Sequence, residues 1–155
     1  MGEEIKSHQD LRVWKEAMSL AEQSYTMTRG FPRDEVFGMT AQIRRSAASI
    51  PANIAEGYGR DSVGSYVQFL RTAQGSLKEL ETHVILASRV GLVAGEHTSG
   101  VLSKAEIVGK MLRSLIRVLQ GSGAENPRNA NASHRAEVAT AEALLPTAAN
   151  QYSEN

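Results

Sequence analysis

Basic side chains carry the clearest chemistry in this sequence. Arg44 and Arg45 are adjacent, and successive residues of a helix point about 100 degrees apart, so a single stripe cannot bury both. We therefore expect one of them to be free for a partner. Lys110, Arg113 and Arg117 are spaced by three and four residues, which predicts a cationic row on one helix face. The candidate contacts with nucleic acid or a partner are Arg44, Arg45, Arg60, Lys110, Arg113 and Arg117.

Cationic rows of this kind bind phosphate through charge and bidentate geometry, but they are also typical of a plain solvated helix face. The chain has 17 basic and 17 acidic residues, so its net charge gives no overall attraction to nucleic acid. Any nucleic-acid-binding surface must therefore be local. An oligomer that repeats the row around an axis would raise the local field without changing the net charge.

Catalytic and metal-binding motifs are missing from the sequence. There is no glycine-rich phosphate loop and no G-x-S-x-G turn. Glu79 and His83 lie one helical turn apart, as two metal ligands would, but the Glu-x-x-His sets of a di-metal bundle are absent. Arg128-Asn129 followed by His134 matches the loose spacing of HEPN-class RNases, which carry that motif on a packed helix. We predict a non-enzymatic protein with no metal, no cofactor and no small-molecule substrate.

Length and composition favour one soluble domain. A chain of 155 residues can bury a single core. It has no cysteine and so no disulfide or thiolate chemistry, which fits a reducing cytoplasm. No apolar run approaches the roughly 20 residues of a membrane helix. We expect a cytoplasmic protein that makes no membrane contact.

Apolar residues at steps of three and four predict four amphipathic helices. The first starts at Asp10, a candidate N-cap or first-turn acid, and runs to about Arg29. The second starts near Asp34 and ends around residues 57–59. Pro51 lies inside the second helix, where proline costs about 3 kcal/mol, so it should kink the helix or split it in two.

The third helix follows Asp61-Ser62 with an unbroken heptad pattern that requires a neighbour, and Gly91 and Gly95 end it. The fourth is capped by Thr98 or Ser99 and ends near Leu119. Short connections favour an all-α, antiparallel, up-down-up-down four-helix bundle over residues 8–120. Residues 121–155 begin with Gly-Ser-Gly and continue with many Asn and Ala residues, and they are predicted to be a flexible, disordered tail, with a weak helical signal at 134–145 that could dock or fray.

Small residues in the second and third helices would let two backbones approach closely. They are Ser46, Ala47, Ala48, Ser49, Ala52 and Ala55, with Gly75 and Ser76. Internal packing explains them most simply, and a subunit interface is the alternative.

Several long blocks resemble the four-helix-bundle proteins encoded in 23S rRNA intervening sequences. The resemblance covers residues 11–119, and its most specific parts are IRRSAASIPANIAEG and GSLKELETH. It implies a small antiparallel bundle that assembles into a homopentameric ring and has no established enzymatic activity. A related branch, the accessory variability protein of diversity-generating retroelements, binds its reverse transcriptase and nucleic acid through a basic barrel. The zero net charge of this chain departs from that branch.

The family pattern also implies residue roles. Positions that match it are Arg44, Arg45, Pro51, Asn53, Glu56, Gly57, Arg60 and Glu81. Asn53 would satisfy the carbonyl that Pro51 leaves free, Glu56 and Glu81 would each pair with an arginine, and Gly57 would permit the helix end. The arginines of this set would contact RNA or a partner.

Two functions follow from the sequence and the resemblance. The first is a homo-oligomeric, pentameric bundle that binds ribosomal or other RNA, or a nucleoprotein partner. The second is a protein adaptor for a reverse transcriptase or another enzyme, without direct contact with nucleic acid. A HEPN-like RNase, resting on Arg128 and His134 alone, is the third alternative.

Overall fold

The computed structural model describes residues 4–122 and 130–147. These residues form two short 3-10 turns, His8–Asp10 and Arg33–Glu35, and no strand. They also form five α-helices: α1 is Arg12–Thr28, α2 is Met39–Tyr58, α3 is Val63–Arg89, α4 is Gly95–Ser122 and α5 is Ala130–Ala143. The prediction of an all-α protein is confirmed.

The start of α1 differs from the prediction because Asp10 does not cap it. The Asp10 carboxylate accepts hydrogen bonds of 2.9 Å from the backbone amides of Ser7 and Lys6, which closes the 3-10 turn before the helix. These amides stabilise the ionised carboxylate and lower the pKa of Asp10. The N-cap residue of α1 is Leu11, whose side chain cannot cap a helix.

The start of α2 also lies later in the chain than predicted. Asp34 belongs to a 3-10 turn, and the carboxylate of Glu35 accepts a 2.9 Å hydrogen bond from the amide of Met39, the first residue of α2. The helix then continues across Pro51 as one element, so the alternative of two separate segments is wrong. The bend at Pro51 stays a prediction.

Asn53 does not take the role that the family resemblance implied. The carbonyl left free by Pro51 belongs to Ala47, four residues earlier in the helix. The side-chain amide of Asn53 instead donates to the carbonyl of Ser49 at 2.8 Å and to its hydroxyl at 3.0 Å. Asn53 therefore bonds the backbone one turn back, but at a different carbonyl.

The ends of α3 follow the sequence closely. Ser62 caps the helix by accepting a 3.2 Å hydrogen bond from the amide of Ser65. At the other end Gly91 has a φ of +80°, and the amide of Leu92 donates to the carbonyl of Ala87 at 2.9 Å. This is a Schellman ending, which favours glycine at the left-handed position.

α4 starts at Gly95, before its predicted caps. The hydroxyls of Thr98 and Ser99 donate to the carbonyls of Gly95 and Glu96 at 2.7 and 2.8 Å. Both side chains therefore lie inside the first turn of α4 and bond its backbone, and neither caps the helix.

The helices pack around one apolar core. α1 packs on α2 and α4, and α3 packs on the same two helices. The largest fully buried side chains come from all four: Tyr66, Leu11, Leu20, Ile43, Ile50, Ile54, Leu70, Leu77, Leu80, Leu112, Leu115 and Leu119. The apolar stripes predicted from the periodicity of α3 and α4 are buried. The stripe predicted for α1 is wrong: the core takes Val13, Ala17 and Leu20, whereas Trp14 and Met18 are half-buried and Tyr25 is 41% exposed.

α2 and α3 approach each other closely. A Cβ atom on Gly57 would lie 2.6 Å from the Cβ of Phe69 and 2.8 Å from Cδ2 of Tyr66, so only glycine fits there. Gly57 lies inside α2, and its role is close packing, which corrects the prediction that it permits the helix end. The hydroxyls of Ser49 and Ser76 meet at 2.8 Å in the same interface.

The C-terminal segment departs most from the prediction. The sequence predicts a flexible tail, but residues 130–143 form α5, which packs on α4. Val138 and Ala141 of α5 are buried, as is Leu145 just after it. The prediction is wrong for this segment because burial and hydrogen bonds to α1 stabilise a helix that would fray alone. The boundary at residue 120 stays a prediction, and residues 123–129 and 148–155 lie outside the described ranges.

Candidate nucleic-acid interface

Arg44 is half-buried and held inside the fold. Its Nε donates to the hydroxyl of Thr28 at 2.9 Å, and its guanidinium lies 4.6 Å from the centre of the Tyr25 ring. Both partners belong to α1, so Arg44 connects α2 to α1. A cation–π contact and a hydrogen bond of this kind stabilise packing.

Arg45 points to the other side of α2. Its Nη2 lies 2.9 Å from the Glu79 carboxylate of α3 and also donates to Gln42. The side chain is 68% exposed, so part of the guanidinium still faces solvent. Glu79 lies 3.5 Å from Nε2 of His83 as well. Of the two adjacent arginines, Arg45 is the exposed one, but a carboxylate already compensates its charge.

Arg60 follows the end of α2 and is also paired. Its Nη2 lies 2.7 Å from the Glu56 carboxylate, and its guanidinium lies 4.8 Å from the centre of the Phe69 ring. Glu56 therefore pairs with an arginine, as the resemblance implied. Glu81 does not: its carboxylate lies 2.8 Å from Nζ of Lys78, so that predicted arginine pair is a lysine pair.

The cationic row of α4 forms part of the exposed stripe of that helix. Lys110, Arg113 and Arg117 are all exposed. Nζ of Lys110 lies 3.3 Å from the carboxylate of Glu106, one turn earlier. In residues 4–122 and 130–147 no carboxylate forms an ion pair with Arg113 or Arg117.

The six candidate cations therefore fall into two groups and do not form one site. α2 packs on α1 and α3, whereas the α4 row faces away from the core. Arg44, Arg45, Arg60 and Lys110 have partners within the chain. Among the described residues no carboxylate pairs with Arg113 or Arg117, and a guanidinium group without a competing carboxylate can bind a phosphate through two parallel hydrogen bonds.

The structure gives no support to the metal or nuclease alternatives. Among the described residues no group of three or more His, Asp or Glu side chains could hold a metal ion. His134 is only 5% exposed, and both of its ring nitrogens are buried. Arg128 and Asn129, the other members of the HEPN-like spacing, lie outside the described residues. A polynucleotide cannot reach the His134 ring in this position.

Sequence reasoning missed a reciprocal cap between α1 and α5. The Glu142 carboxylate accepts hydrogen bonds from the backbone amides of Arg12 and Val13, at 2.8 and 3.4 Å, and so caps α1. In return the Arg12 guanidinium donates to the carbonyls of Glu142, Leu145 and Pro146, at 3.2, 3.2 and 2.9 Å, at the end of α5. No local pattern could reveal this pair because about 130 residues separate its members.

Titratable groups are buried beside this double cap. Burial raises the pKa of Glu142, while the Arg12 and Val13 amides oppose the rise. Burial also raises the pKa of the Tyr66 phenol and lowers the pKa of His134. The rings of Tyr66 and His134 are 5.9 Å apart. Within the described residues the hydroxyls of Tyr58 and Tyr66 and both nitrogens of His134 have no hydrogen-bond partner.

An apolar groove of about 710 Å³ lies between α1 and α2. Its apolar lining residues are Trp14, Met18, Ala21, Tyr25, Ala48, Pro51, Ala52 and Ala55. The small residues of α2 thus divide between two surfaces. Ser46 and Ala47 are buried in the bundle, whereas Ala48 and Ala52 are exposed in the groove.

No described helix has the length and apolar character to cross a membrane.

Comparison with known proteins connects these features to a family. Curated proteins give no match. A crystal structure of a protein with unknown function from the S23 ribosomal protein family of Bacteroides thetaiotaomicron VPI-5482 is similar, with a TM-score of 0.61 and 25% sequence identity. The similarity covers 68% of this chain and 98% of that one.

The family model described as "23S rRNA-intervening sequence protein" matches residues 9–114, which include the arginines of α2 and the first members of the α4 row. The matched range ends before α5. Because the match covers more than half of the chain, the protein belongs to the family of 23S rRNA-intervening sequence proteins.

Proposed function

We propose that this protein is a non-enzymatic, cytoplasmic homo-oligomer, with a pentamer as the proposed assembly, that binds RNA or a nucleoprotein partner through its basic residues. The observation that carries this proposal is the α4 row. Arg113 and Arg117 are exposed one turn apart, and neither pairs with a described carboxylate. The family's link with 23S rRNA makes a ribosomal RNA fragment the first ligand to test.

The proposed scaffold is an antiparallel four-helix bundle of α1 to α4 with a bend at Pro51. Two contacts support opposite directions for α2 and α3, because Arg45 meets Glu79 whereas Ser49, further along α2, meets Ser76, earlier in α3. Short connections between successive helices favour the same arrangement. In this scaffold the α4 row lies along one outer edge of the bundle.

Charge compensation favours α4 over α2 as the RNA contact. A phosphate that approaches Arg45 or Arg60 must compete with Glu79 or Glu56, which already hold those guanidinium groups. A phosphate that approaches Arg113 meets no such competitor among the described residues. Repetition of the row around an oligomer axis would strengthen the local field in a chain of zero net charge.

RNA binding is tested by titrating the full-length chain with a structured ribosomal RNA fragment across a salt series. We expect log K to fall linearly with log salt, because bound cations release counterions from the phosphates. The double variant Arg113→Gln/Arg117→Gln should lower the magnitude of this slope by about 2, since each phosphate contact contributes about 1. Gel analysis of the recovered RNA should show it uncleaved.

The matched control is Arg45→Gln/Arg60→Gln, which changes the net charge by the same amount on α2. We expect this control to keep most of the salt slope. Equal losses in the two double variants would mean that net charge, and not the α4 row, determines binding. Absence of any salt-dependent binding by the unaltered chain would rule out the proposal.

The groove between α1 and α2 supports self-association. It is apolar, it lies on the surface, and the small side chains of Ala48 and Ala52 leave it open. We expect Ala52→Glu to dissociate the oligomer, measured by native mass spectrometry, because the new carboxylate would lose its bonds to water in an interface lined mainly by apolar side chains. Ala41→Glu, on the exposed surface of α2 outside the groove, is the control and should leave the assembly intact. An Ala52→Glu variant that keeps the native oligomer would exclude this interface.

A protein adaptor is the second candidate, and one surface feature favours it. Val36 and Phe37, between α1 and α2, are adjacent and are 50% and 96% exposed. Adjacent exposed apolar side chains are typical of protein contacts. Co-expression with a reverse transcriptase should then yield a complex that Phe37→Ser weakens. Recovery of nucleic acid alone, with no bound enzyme, would contradict the adaptor function.

A further inference from the structure

The contact between α5 and the rest of the protein depends mainly on polar groups. Five hydrogen bonds join Arg12 and Val13 to the end of α5, and they satisfy the amides at the start of α1 and the carbonyls at the end of α5. In residues 134–147, the part of this segment whose side chains the structure describes, the large buried apolar side chains are Val138 of α5 and Leu145 just after it. Docking of α5 is therefore sensitive to single polar side chains.

Other groups at the same contact oppose docking. Tyr58 and Tyr66 bury their hydroxyls, and neither atom finds a hydrogen-bond partner in the described residues. Such groups lose their bonds to water when they are buried and gain nothing in exchange. His134 buries both ring nitrogens beside the Tyr58 carbonyl, and burial lowers its pKa. Glu142 is also buried, to 2% exposure, and its raised pKa reflects the cost of holding its charge there. These costs offset much of the stabilisation from the double cap.

Helices α1 to α4 have the features of a folded unit that does not require α5. The family match ends at residue 114, and the similar solved structure is covered to 98% by 68% of this chain. The core side chains of α1 to α4 contact one another around a single centre. Undocking of α5 therefore leaves most of the apolar core of α1 to α4 in contact.

From these observations we infer that α5 is a releasable latch on the end of the bundle, held by the reciprocal cap between Arg12 and Glu142. α5 undocks as a unit while α1 to α4 stay folded. The strength of the double cap sets the fraction of molecules in which α5 is undocked.

Hydrogen exchange of the full-length chain, followed by mass spectrometry, tests the latch. Amides of α5 should be protected less strongly than amides of α3, because local opening requires less free energy than global unfolding. Glu142→Ala, which removes both acceptor oxygens of the cap, should reduce the protection of α5 by about tenfold and leave the protection of α3 unchanged. Arg12→Gln, which removes the bonds to the α5 carbonyls, should act in the same direction.

The matched control is Glu137→Ala, which removes a carboxylate from α5 without touching the double cap. We expect it to change the protection of α5 much less than Glu142→Ala does. Equal protection of α5 and α3 in the unaltered chain, with both falling together in every variant, would show that α5 opens only by global unfolding. An effect of Glu137→Ala as large as that of Glu142→Ala would show that the double cap does not hold the latch.

The pH dependence of docking gives a second readout with a defined sign. The pKa of His134 is lowered below 6.5 in the docked state, so docking weakens as the pH falls through 6.5 and the free histidine takes up a proton. The pKa of Glu142 is raised above 4.5 in the docked state, so docking weakens as the pH rises above 4.5 and the free carboxyl loses its proton. The two residues thus act in opposite directions.

Groups on several elements influence both titrations. His134 faces the Tyr58 carbonyl and the Asp61 charge outside α5, together with Glu137 and Arg135 of α5 itself. Glu142 faces Arg12 and Lys15 of α1 and the phenol of Tyr66.

Single variants separate the two pH effects. We measure protection factors, which divide out the intrinsic pH dependence of exchange. In Glu142→Gln, where His134 remains, the protection of α5 should fall severalfold on acidification below pH 6.5. In His134→Gln, where Glu142 remains, it should fall severalfold as the pH rises from 4.5. The same pH trend in both variants would overturn the assignment of these residues to the latch.

Discussion

α2 and α4 both present arginines to the surface, but the fold uses them differently. Arg44 and Arg45 of α2 meet partners on α1 and α3, whereas Arg113 and Arg117 of α4 meet none of the described carboxylates. α2 lies so close to α3 that its cations reach groups on the neighbouring helix. α4 also pairs one cation across to a neighbour, because Nζ of Lys104 lies 2.7 Å from the Glu16 carboxylate of α1, but Arg113 and Arg117 lie on its exposed stripe. The comparison teaches that the position of a cation on its helix, more than the residue type, decides whether it is available to a partner.

The largest expected effect tests the close packing that distinguishes α2. Gly57→Ala would place a methyl group 2.6 Å from Cβ of Phe69, so it should lower the free energy of unfolding by about 1–3 kcal/mol, the usual cost of overpacking. Equilibrium urea denaturation measures the change.

Gly100→Ala in α4 is the matched control for this substitution. No atom lies within 4 Å of the added methyl group, and alanine is the better helix former, so the free energy of unfolding should rise by about 0.5–1 kcal/mol. If Gly57→Ala were also neutral or stabilising, α2 would not be more tightly packed than α4.

A smaller effect should separate the internal from the external arginines. Arg44→Met removes the hydrogen bond to Thr28 and the contact with the Tyr25 ring, so the free energy of unfolding should fall by about 1–2 kcal/mol. Arg113→Met should change it by less than about 0.5 kcal/mol, as most surface substitutions do. Thermal unfolding of both variants in one buffer provides the test. Equal destabilisation by the two substitutions would mean that Arg44 stabilises the fold no more than Arg113 does.

The smallest effect concerns the exposed ion pair between Arg45 and Glu79. A double-mutant cycle with alanine at each position should give a coupling free energy of about 0.2–1 kcal/mol, because both side chains are partly solvated. The coupling should shrink in high salt. The pair of Lys110 and Glu106 within α4 should give about 0.3–0.5 kcal/mol by the same method. A salt-insensitive coupling well above 1 kcal/mol would mean that the pair of Arg45 and Glu79 stabilises the fold more than an exposed ion pair does.

Much of the fold was predictable because it depends on short-range patterns. The heptad of α3, its Ser62 cap and its ending at Gly91 are all local signals, and the structure contains each of them. The starts of α1 and α2 were less predictable. Asp10 and Glu35 form hydrogen bonds just before these helices, which changes where each helix begins by a few residues.

The candidate site was predictable only as a set of residue types. The sequence identifies the basic residues, but the choice between Glu79, Thr28 and solvent as their partner depends on which helices are neighbours. Glu81 illustrates the same limit, because its partner is Lys78 on the same helix and not an arginine. Which charges pair depends on the distances between side chains of neighbouring helices, and the periodicity of the sequence does not give those distances.

The sequence by itself determined the all-helical class, the buried stripes of α3 and α4 and membership of the family, because these depend on periodicity and on long ordered blocks of residues. Only the tertiary structure decided which arginines are compensated and that residues 130–143 form a docked helix. The reason is physical: α5 has a weak pattern of its own, and its stabilising partner, Arg12, lies near the opposite end of the chain.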